Sequence, residues 1–500
     1  MPILLVCQCS RLFQPISRTL LVLLNLFVVT SLGAVDSRSV ESSPIKPNVV
    51  LILADDLGYT DLGVMGSDLY QTPNIDGLAS QGLRFTNAHS SHPTCSPSRT
   101  AIMTGKYPAR LGIVGHGGRG TVTAGDGTFM PCEEYTMAEA LTDAGYTTCH
   151  IGKWHVGHEG TTGPKEQGFQ FDIASNEFCC PGSYIYPYRN KKKAGVQAEN
   201  SAVPDLQDRG PDDHLTECLG DEAVKFISSH KDEPFFLNLA YYAVHTPIES
   251  ERDKVAKYKK LITPDSRQRN AAYAGLVEHL DESVGRVLKA IRDNGLERNT
   301  IVIFFSDNGG EVTHGETSNY PLRDGKVSQY LGGIRVPLIV KWPGVTPVGA
   351  TSEIPVIGHD LYPSILQMVG AQGDTKHNAQ IDGVDLTAVF QDPASQLDRQ
   401  ALHWLRYPVV FHYRKGERKR GPVGTIIKGN WKLMEFFPTP HGQDRSFELY
   451  NLREDISEQE NVAAANPELV TELHQEMIRW RESVDAPEYE MAFKEYEKIP

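Results

Sequence analysis

The chain has 500 residues, 40% of them hydrophobic, which is enough for one large core with a smaller domain attached. Its formal net charge of −14 and pI near 5.7 repel nucleic-acid phosphates. The basic runs Lys191–Lys193 and Arg414–Arg420 are too short to form a phosphate-tracking stripe, so nucleic acid is excluded as a partner.

In chain order, the first feature is Arg11 and Arg18 followed by an apolar run, Leu20–Gly33, and then the polar segment DSRSVESSP. This is the layout of a secretory signal peptide, assigned to residues 1–35. The run is short for a bilayer, so no stable membrane span is expected and the protein is read as exported. Cys7 and Cys9 leave with the leader, and Cys95, Cys132, Cys149, Cys179, Cys180 and Cys218 remain in an oxidising compartment. If Cys95 is not a thiol when mature, the remaining five form at most two bridges. The chain has no Asn-x-Ser/Thr sequon, which favours a bacterial periplasmic or secreted protein over a lysosomal one.

Beyond the leader, NVVLILADDLG from Asn48 is an unbroken apolar run that stops at Asp55 and Asp56. It reads as a buried parallel strand. AGYTTCHIGKWH ends at Lys153 and His155, EPFFLNLAYYAVHTP near His245, and NTIVIFFSDNGG at Asp307 and Asn308. Helical patterns from Met137, His214 and Ala271 lie between them. Strands alternating with helices predict an α/β fold whose large, mostly parallel sheet is covered on both faces. Ligands of such sheets gather at the carboxyl ends of the strands, where these polar groups fall.

Taken singly, each group has a plain structural reading: Asp55 and Asp56 cap a turn, the histidines are buried and satisfied, and Lys153 and Lys326 are solvated. Together, Asp55, Asp56, Asp307 and Asn308 make an all-oxygen set suited to one hard divalent cation, calcium before magnesium, and poor for zinc. Lys153, His155 and His245 are groups that hold an anion and protonate a leaving group. Cys95, in SHPTCSPSR, reads as a disulfide half, a nucleophile or the precursor of another group. Its flanks lack the papain-type signature, and the chain has no Gly-x-Ser-x-Gly elbow and no Walker loop.

CSPSRTAIMTGKYP, Cys95–Pro108, resembles the sulfatase signature Cys-x-Pro-Ser-Arg followed by Thr-Gly. LADDLG, GKWH, HTP, SDNGG and LRDGK match the same family in the same order, so the resemblance runs from Pro47 to the C-terminus. It implies an alkaline phosphatase-like catalytic domain over residues 46–398 and a smaller C-terminal α+β domain over residues 399–500. It also implies that Cys95 is oxidised to formylglycine by a formylglycine-generating or equivalent maturation enzyme, the hydrate being the nucleophile. On the same resemblance, Asp55, Asp56, Asp307 and Asn308 hold one calcium ion, and Arg99, Lys153 and Lys326 neutralise the sulfate. His155 assists hemiacetal breakdown, and His245 faces the leaving oxygen as general acid.

Specificity is expected from loops. CCPGSYIYPYRNKKKAG, Cys179–Gly195, offers alternating tyrosines for sugar stacking, or is a disulfide-pinned loop with a solvated tip. His314, Asn319 and Arg323 are placed in the leaving-group pocket by their closeness in sequence to Lys326. From Gln400, three segments read as antiparallel strands, followed by a helix starting at Asn466 and Pro467. The expected function is an exported calcium-dependent sulfatase acting on a sulfated glycan or aryl sulfate. The alternatives are a phosphonate or phosphate ester hydrolase of the same superfamily, and a catalytically silent calcium-dependent glycan-binding protein.

Overall fold

The strand NVVLILA, β1 (Asn48–Ala54), is buried at every position because both faces of its sheet are covered. Its even residues Val50, Ile52 and Ala54 join one apolar cluster, with Leu219, Phe226, Leu276 and Leu280. Its odd residues Val49, Leu51 and Leu53 join the other, with Ile102, Leu141 and Ile365. A run with no polar alternation is what a two-sided strand requires. Truncation such as Ile52→Ala would cost about 2–5 kcal/mol.

The computed structural model describes residues 46–115, 130–176, 179–189, 203–407, 422–438 and 444–489. The signal peptide assigned to residues 1–35 and the basic runs Lys191–Lys193 and Arg414–Arg420 lie outside them. The remaining strands are β2 (Leu83–Phe85), β3 (Ala88–His89), β4 (Thr147–Gly152), β5 (Phe171–Ile173), β6 (Phe235–Ala240), β7 (Thr300–Ser306), β8 (Leu338–Lys341), β9 (Ala350–Ser352) and β10 (Val356–Ile357), followed by β11 (Leu402–Arg406), β12 (Val423–Lys428), β13 (Trp431–Phe436) and β14 (Ser446–Asn451).

The main sheet runs β5-β4-β6-β1-β7-β8-β2-β9. It is parallel from β5 through β7, and β8 pairs antiparallel with both β7 and β2. This is the expected α/β architecture. Helices Leu215–Ser229 and Ala271–Asp293 cover one face, and helices Cys95–Thr104, Met137–Asp143 and Leu361–Val369 the other. No helix among the described residues is long and apolar enough to cross a membrane.

The C-terminal sheet is antiparallel in the order β11-β12-β13-β14. Helix Pro467–Ser483, which opens on a proline at its first turn, packs Leu473 and Met477 onto Ile426, Leu433 and Leu449. The sheet packs against the rest of the chain: Trp404 and Leu402 share a cluster with Tyr107, Leu331 and Ile334, and Trp404 Nε1 donates to the Ser90 carbonyl at 2.8 Å. Residues Lys46–Pro500 accordingly form one unit by contact.

Candidate active site

The four motif-bearing strands are neighbours in the sheet, β4-β6-β1-β7, and all four are parallel. Their carboxyl ends open on one edge because the register is tight: Ala54 pairs with Ser306, Leu53 with Ala240, and Ala240 with Gly152. The backbone then locks the turns. Asp55 N–H donates to the Ala243 carbonyl at 2.9 Å, Val244 N–H to the Asp55 carbonyl at 2.8 Å, and Lys153 N–H to the Ala240 carbonyl at 2.7 Å. Gly152 has φ +95, and a Cβ there would lie 2.2 Å from the Ala240 carbonyl oxygen, so only glycine lets β4 turn toward the site.

Asp56 (φ 59) and His155 (φ 60) sit in the left-handed region where non-glycine residues are strained. Asp56 N–H donates to Asp307 Oδ1 at 3.2 Å, and Asn308 Nδ2 donates to Asp56 Oδ1 at 2.8 Å. Carboxylate oxygens of Asp55, Asp56 and Asp307 and the Cys95 sulfur all lie within 4.8 Å of one another.

Cys95 is the first residue of the helix Cys95–Thr104, so it stands where backbone N–H groups point outward and favour negative charge. Its Sγ lies 3.4 Å from Asp55 Oδ1 and 3.6 Å from Asp56 Oδ1. One turn on, Arg99 donates from Nε to Asp307 Oδ2 at 2.7 Å and from Nη1 to the Lys153 carbonyl at 2.9 Å. Lys153 Nζ donates to Asp55 Oδ2 and Lys326 Nζ to Asp56 Oδ2, each at 2.6 Å. Lys326, which taken singly reads as solvated, is thus drawn into the cluster, and its backbone N–H donates to the Gly310 carbonyl. His245 Nε2 is 3.5 Å from Asp56 Oδ2. Its Nδ1 lies 2.9 Å from the Thr246 carbonyl, which puts the proton of a neutral ring on Nδ1 and turns the bare Nε2 toward the cluster.

The charges are frustrated. Burial drives the Asp55 carboxyl up to about 8 against the pull of Lys153, and Asp307 and Asp56 add to the rise. Burial also works to raise Asp56, but Lys326, His245 and Lys153 outweigh it and hold this carboxylate below its ordinary range. Burial and then Lys326 push His245 down to about 3. Burial raises the Cys95 thiol well above its usual range. Asn308 Oδ1 is buried with no hydrogen-bond partner, as is Arg99 Nη2.

An orphaned amide oxygen beside three converging carboxylates is what a hard divalent cation fits. The residues present therefore suit a metal ion bound through oxygen atoms.

Other expected contacts are not brought together. The His314 side chain is 79% exposed and lies 3.5 Å from Glu316 Oε1. Arg323, which precedes Asp324 (φ 61), is held by the C-terminal sheet. It donates from Nη1 to Tyr450 Oη at 3.0 Å and to the Glu458 carbonyl at 2.6 Å, with its guanidinium 3.8 Å from the Tyr330 ring centre. It borders a groove of about 400 Å³ with Tyr320, Asp324, Ser457 and Gln459, away from the carboxylate cluster. Asn319 is buried, its amide donating to the Gly310, Asp324 and Gly332 carbonyls. The alternating tyrosines do not form a sugar-stacking face: Tyr184 and Tyr188 are buried in the core. Tyr184 Oη instead donates to the Tyr242 and His245 carbonyls at 2.6 and 3.0 Å, bracing the His245 turn. The described cysteines form no disulfide; Cys149 and Cys218 are core residues.

The sequence reading missed Asp61. It is fully buried and accepts from Gly58 N–H, Tyr273 Oη, Thr317 Oγ1 and Gln268 Nε2 at 2.6–3.0 Å, tying the Asp56 turn to the loop before Lys326. The third acid of DDLGYTD was its available signal.

A family model described as Sulfatase matches residues 47–371, and one described as N-sulphoglucosamine sulphohydrolase, C-terminal, matches residues 325–483. A "Sulfatase" of Formosa agariphila is 33% identical over 93% of this chain and 94% of its own length. Human arylsulfatase A is 31% identical over 86% of each chain. The solved structure of Ps i-CgsB in complex with k-i-k-neocarrahexaose aligns with a TM-score of 0.72 and 32% identity, covering 88% of this chain and 93% of that one.

Proposed function

Because this chain belongs to the sulfatase family and is a sulfuric ester hydrolase, we propose that it is an exported enzyme that cleaves sulfate monoesters of carbohydrates, with one calcium ion and a formylglycine made from Cys95. The observation that carries this reading is the position of Cys95 Sγ, at a helix start, 3.4 Å from Asp55 and beside the cations that pair with Asp55 and Asp56. A thiol whose ionisation is suppressed by burial is a poor nucleophile there. A gem-diol at the same position supplies one hydroxyl for attack on sulfur and a second whose deprotonation expels sulfate and restores the aldehyde. A bound divalent cation supplies Lewis-acid polarisation of a sulfate oxygen, and Asp55, Asp56, Asp307 and Asn308 would hold it.

The chain's own residues then divide the work. Arg99 fixes Asp307 and the Lys153 carbonyl. Lys153 and Lys326 donate to Asp55 and Asp56, and both lysines would be freed for sulfate oxygens when those carboxyl groups hold a cation. His245 carries no proton on Nε2 in this state; an anionic ester in the site favours its protonation and so its role as acid toward the leaving oxygen. His155, two residues beyond Lys153, is assigned to hemiacetal breakdown. A carbohydrate substrate is supported by the likeness to Ps i-CgsB, which is solved with a neocarrahexaose. Export rests on the leader-like residues 1–35.

The test is enzyme co-expressed with a maturation enzyme, assayed on nitrophenyl sulfate, nitrophenyl phosphate and a panel of sulfated oligosaccharides, with the Cys95 peptide probed by a hydrazide. Sulfate release together with an aldehyde at position 95 is expected. Preference for the phosphate ester, or glycan binding without release of sulfate, would sink the reading.

A further inference from the structure

Cys179 and Cys180 are adjacent in sequence, and their sulfurs lie 2.9 Å apart. Both are partly exposed, unlike the buried Cys149 and Cys218. The segment that carries them is anchored at both ends beside candidate catalytic histidines. Upstream, the Asn176 carbonyl accepts from His155 N–H at 3.4 Å. Downstream, Ser183 Oγ and Tyr184 N–H donate to Glu249 Oε2 at 2.7 and 2.9 Å, and Tyr184 Oη reaches the His245 carbonyl.

We propose that Cys179 and Cys180 are a redox-modifiable vicinal dithiol beside the active site, closing to a disulfide across a single peptide bond by exchange with a small disulfide, and that closure alters turnover through the loop that braces His245. The charge environment agrees with this chemistry. The contact between the two sulfurs, in which either can be the donor, favours a thiolate at Cys179 against the cost of burial, and Lys153 and Lys326 favour it further. In the reaction, the Cys179 thiolate attacks one sulfur of RSSR, forming a mixed disulfide and expelling RS⁻. Cys180 loses its proton and attacks the Cys179 sulfur, expelling the second RS⁻. Two electrons pass from the dithiol to RSSR, and both released thiolates end as RSH. The ring so formed constrains a segment held at His155 and at His245, and small displacements of reacting groups are costly to rate.

The test uses the full-length matured enzyme, treated with glutathione disulfide or with dithiothreitol. Peptide mapping should show the Cys179–Cys180 peptide lighter by two hydrogens and resistant to alkylation after oxidation, with no retained glutathione. Phenylarsine oxide should bind the reduced protein, and not Cys180→Ser or the oxidised form. In the wild type, turnover should differ by about threefold or more between the two states; Cys180→Ser, which lacks the resolving thiol, should instead hold one glutathione on Cys179 until dithiothreitol releases it. Glutathione retained on wild-type Cys179, or thiols that remain alkylatable, overturns the proposal. So does ring closure that leaves turnover unchanged. The mass and alkylation readouts do not depend on which ester is hydrolysed, so this idea and the sulfatase mechanism fail separately.

Discussion

Two buried clusters of charge differ in how completely they are satisfied. At the C-terminal sheet, Lys432 and Glu458 are both inaccessible to solvent and paired to each other. Lys432 also donates to the Gln329 carbonyl, and Glu458 accepts from Leu331 N–H at 2.7 Å. Burial pushes Lys432 down and Glu458 up, yet each has designated partners. At the strand ends, Asp55, Asp56 and Asp307 crowd together, and Asn308 Oδ1 and Arg99 Nη2 have no hydrogen-bond partner. A satisfied network fixes a fold; an unsatisfied one at the edge of a sheet is set up for something that binds. The first cluster also serves the second, because Gln329, Leu331 and Arg323 flank Lys326 in the chain and are held by the C-terminal sheet.

The sharpest way to break this contrast is in the unsatisfied cluster. Asp307→Ala should abolish sulfate release. Lys326→Ala should reduce it by about 10²–10³-fold, beyond what the stability lost by leaving Asp56 unpaired explains, so kcat is compared on folded enzyme. Chelation should also inactivate the enzyme, with calcium restoring activity better than zinc. Full activity after chelation, with no metal found by elemental analysis, would refute the metal assignment.

In the satisfied cluster the sign reverses. Lys432→Met should cost about 3–5 kcal/mol of stability by leaving Glu458 buried and unpaired, with kcat of the surviving folded enzyme little changed. Lys432→Met combined with Glu458→Gln should recover part of that loss in denaturant titrations. If the single variant unfolds at the wild-type midpoint, the stabilising role assigned to the buried pair is wrong.

A third distinction is visible in pH. Asp55 is raised from 3.8 to about 8 in the folded, metal-free protein, so folding takes up a proton and its contribution is present at low pH and lost as pH rises through about 8. Asp56, held low, contributes above its ordinary range and does not change in that window. The Asp55 share of the stability of chelated protein should therefore be lost between about pH 4 and 8, read as the difference between wild type and Asp55→Asn, since buried histidines such as His245 contribute with the opposite sign. Asp55→Asn should flatten the slope, and an unaltered slope in that variant would assign it elsewhere.

The smallest effect is expected at Arg323. Its removal loses a contact with the Tyr330 ring and hydrogen bonds to the C-terminal sheet, about 1–2 kcal/mol. KM should stay near wild type; a large rise in KM would return Arg323 to the substrate.

Much of the site was legible because two-sided parallel strands leave continuous apolar runs, and each run ended in its chemistry. Lys326 was not legible from its neighbours: its carboxylate partner Asp56 is 270 residues away in sequence. Closeness in sequence to Lys326 did not bring Arg323 or His314 to the cluster: Arg323 is held by Tyr450 and the Glu458 carbonyl, and the His314 side chain is exposed. The tyrosine alternation at residues 184–188 suggested an exposed face, but alternation does not reveal what lies opposite, here the carbonyls of the His245 turn. The Lys432–Glu458 pair left no pattern, since two isolated charges in a strand and a turn look solvated until the sheet is closed over them.

Every residue of the helix Cys95–Thr104 is buried, and Cys95 is 0% exposed. A second protein cannot grip a side chain placed there, so the oxidation proposed for Cys95 becomes a question of timing during biosynthesis. On the proposed maturation, the sulfur would be accessible only before folding, since β1 and β7 bring Asp55 and Asp307 against it in the folded chain. A maturation enzyme added to purified, folded thiol-form protein should leave it inert, whereas the same enzyme present during translation or refolding should convert it. If Cys95 is matured as proposed, heterologous yield of active protein would be set by a race between capture of the nascent chain and closure of the sheet edge.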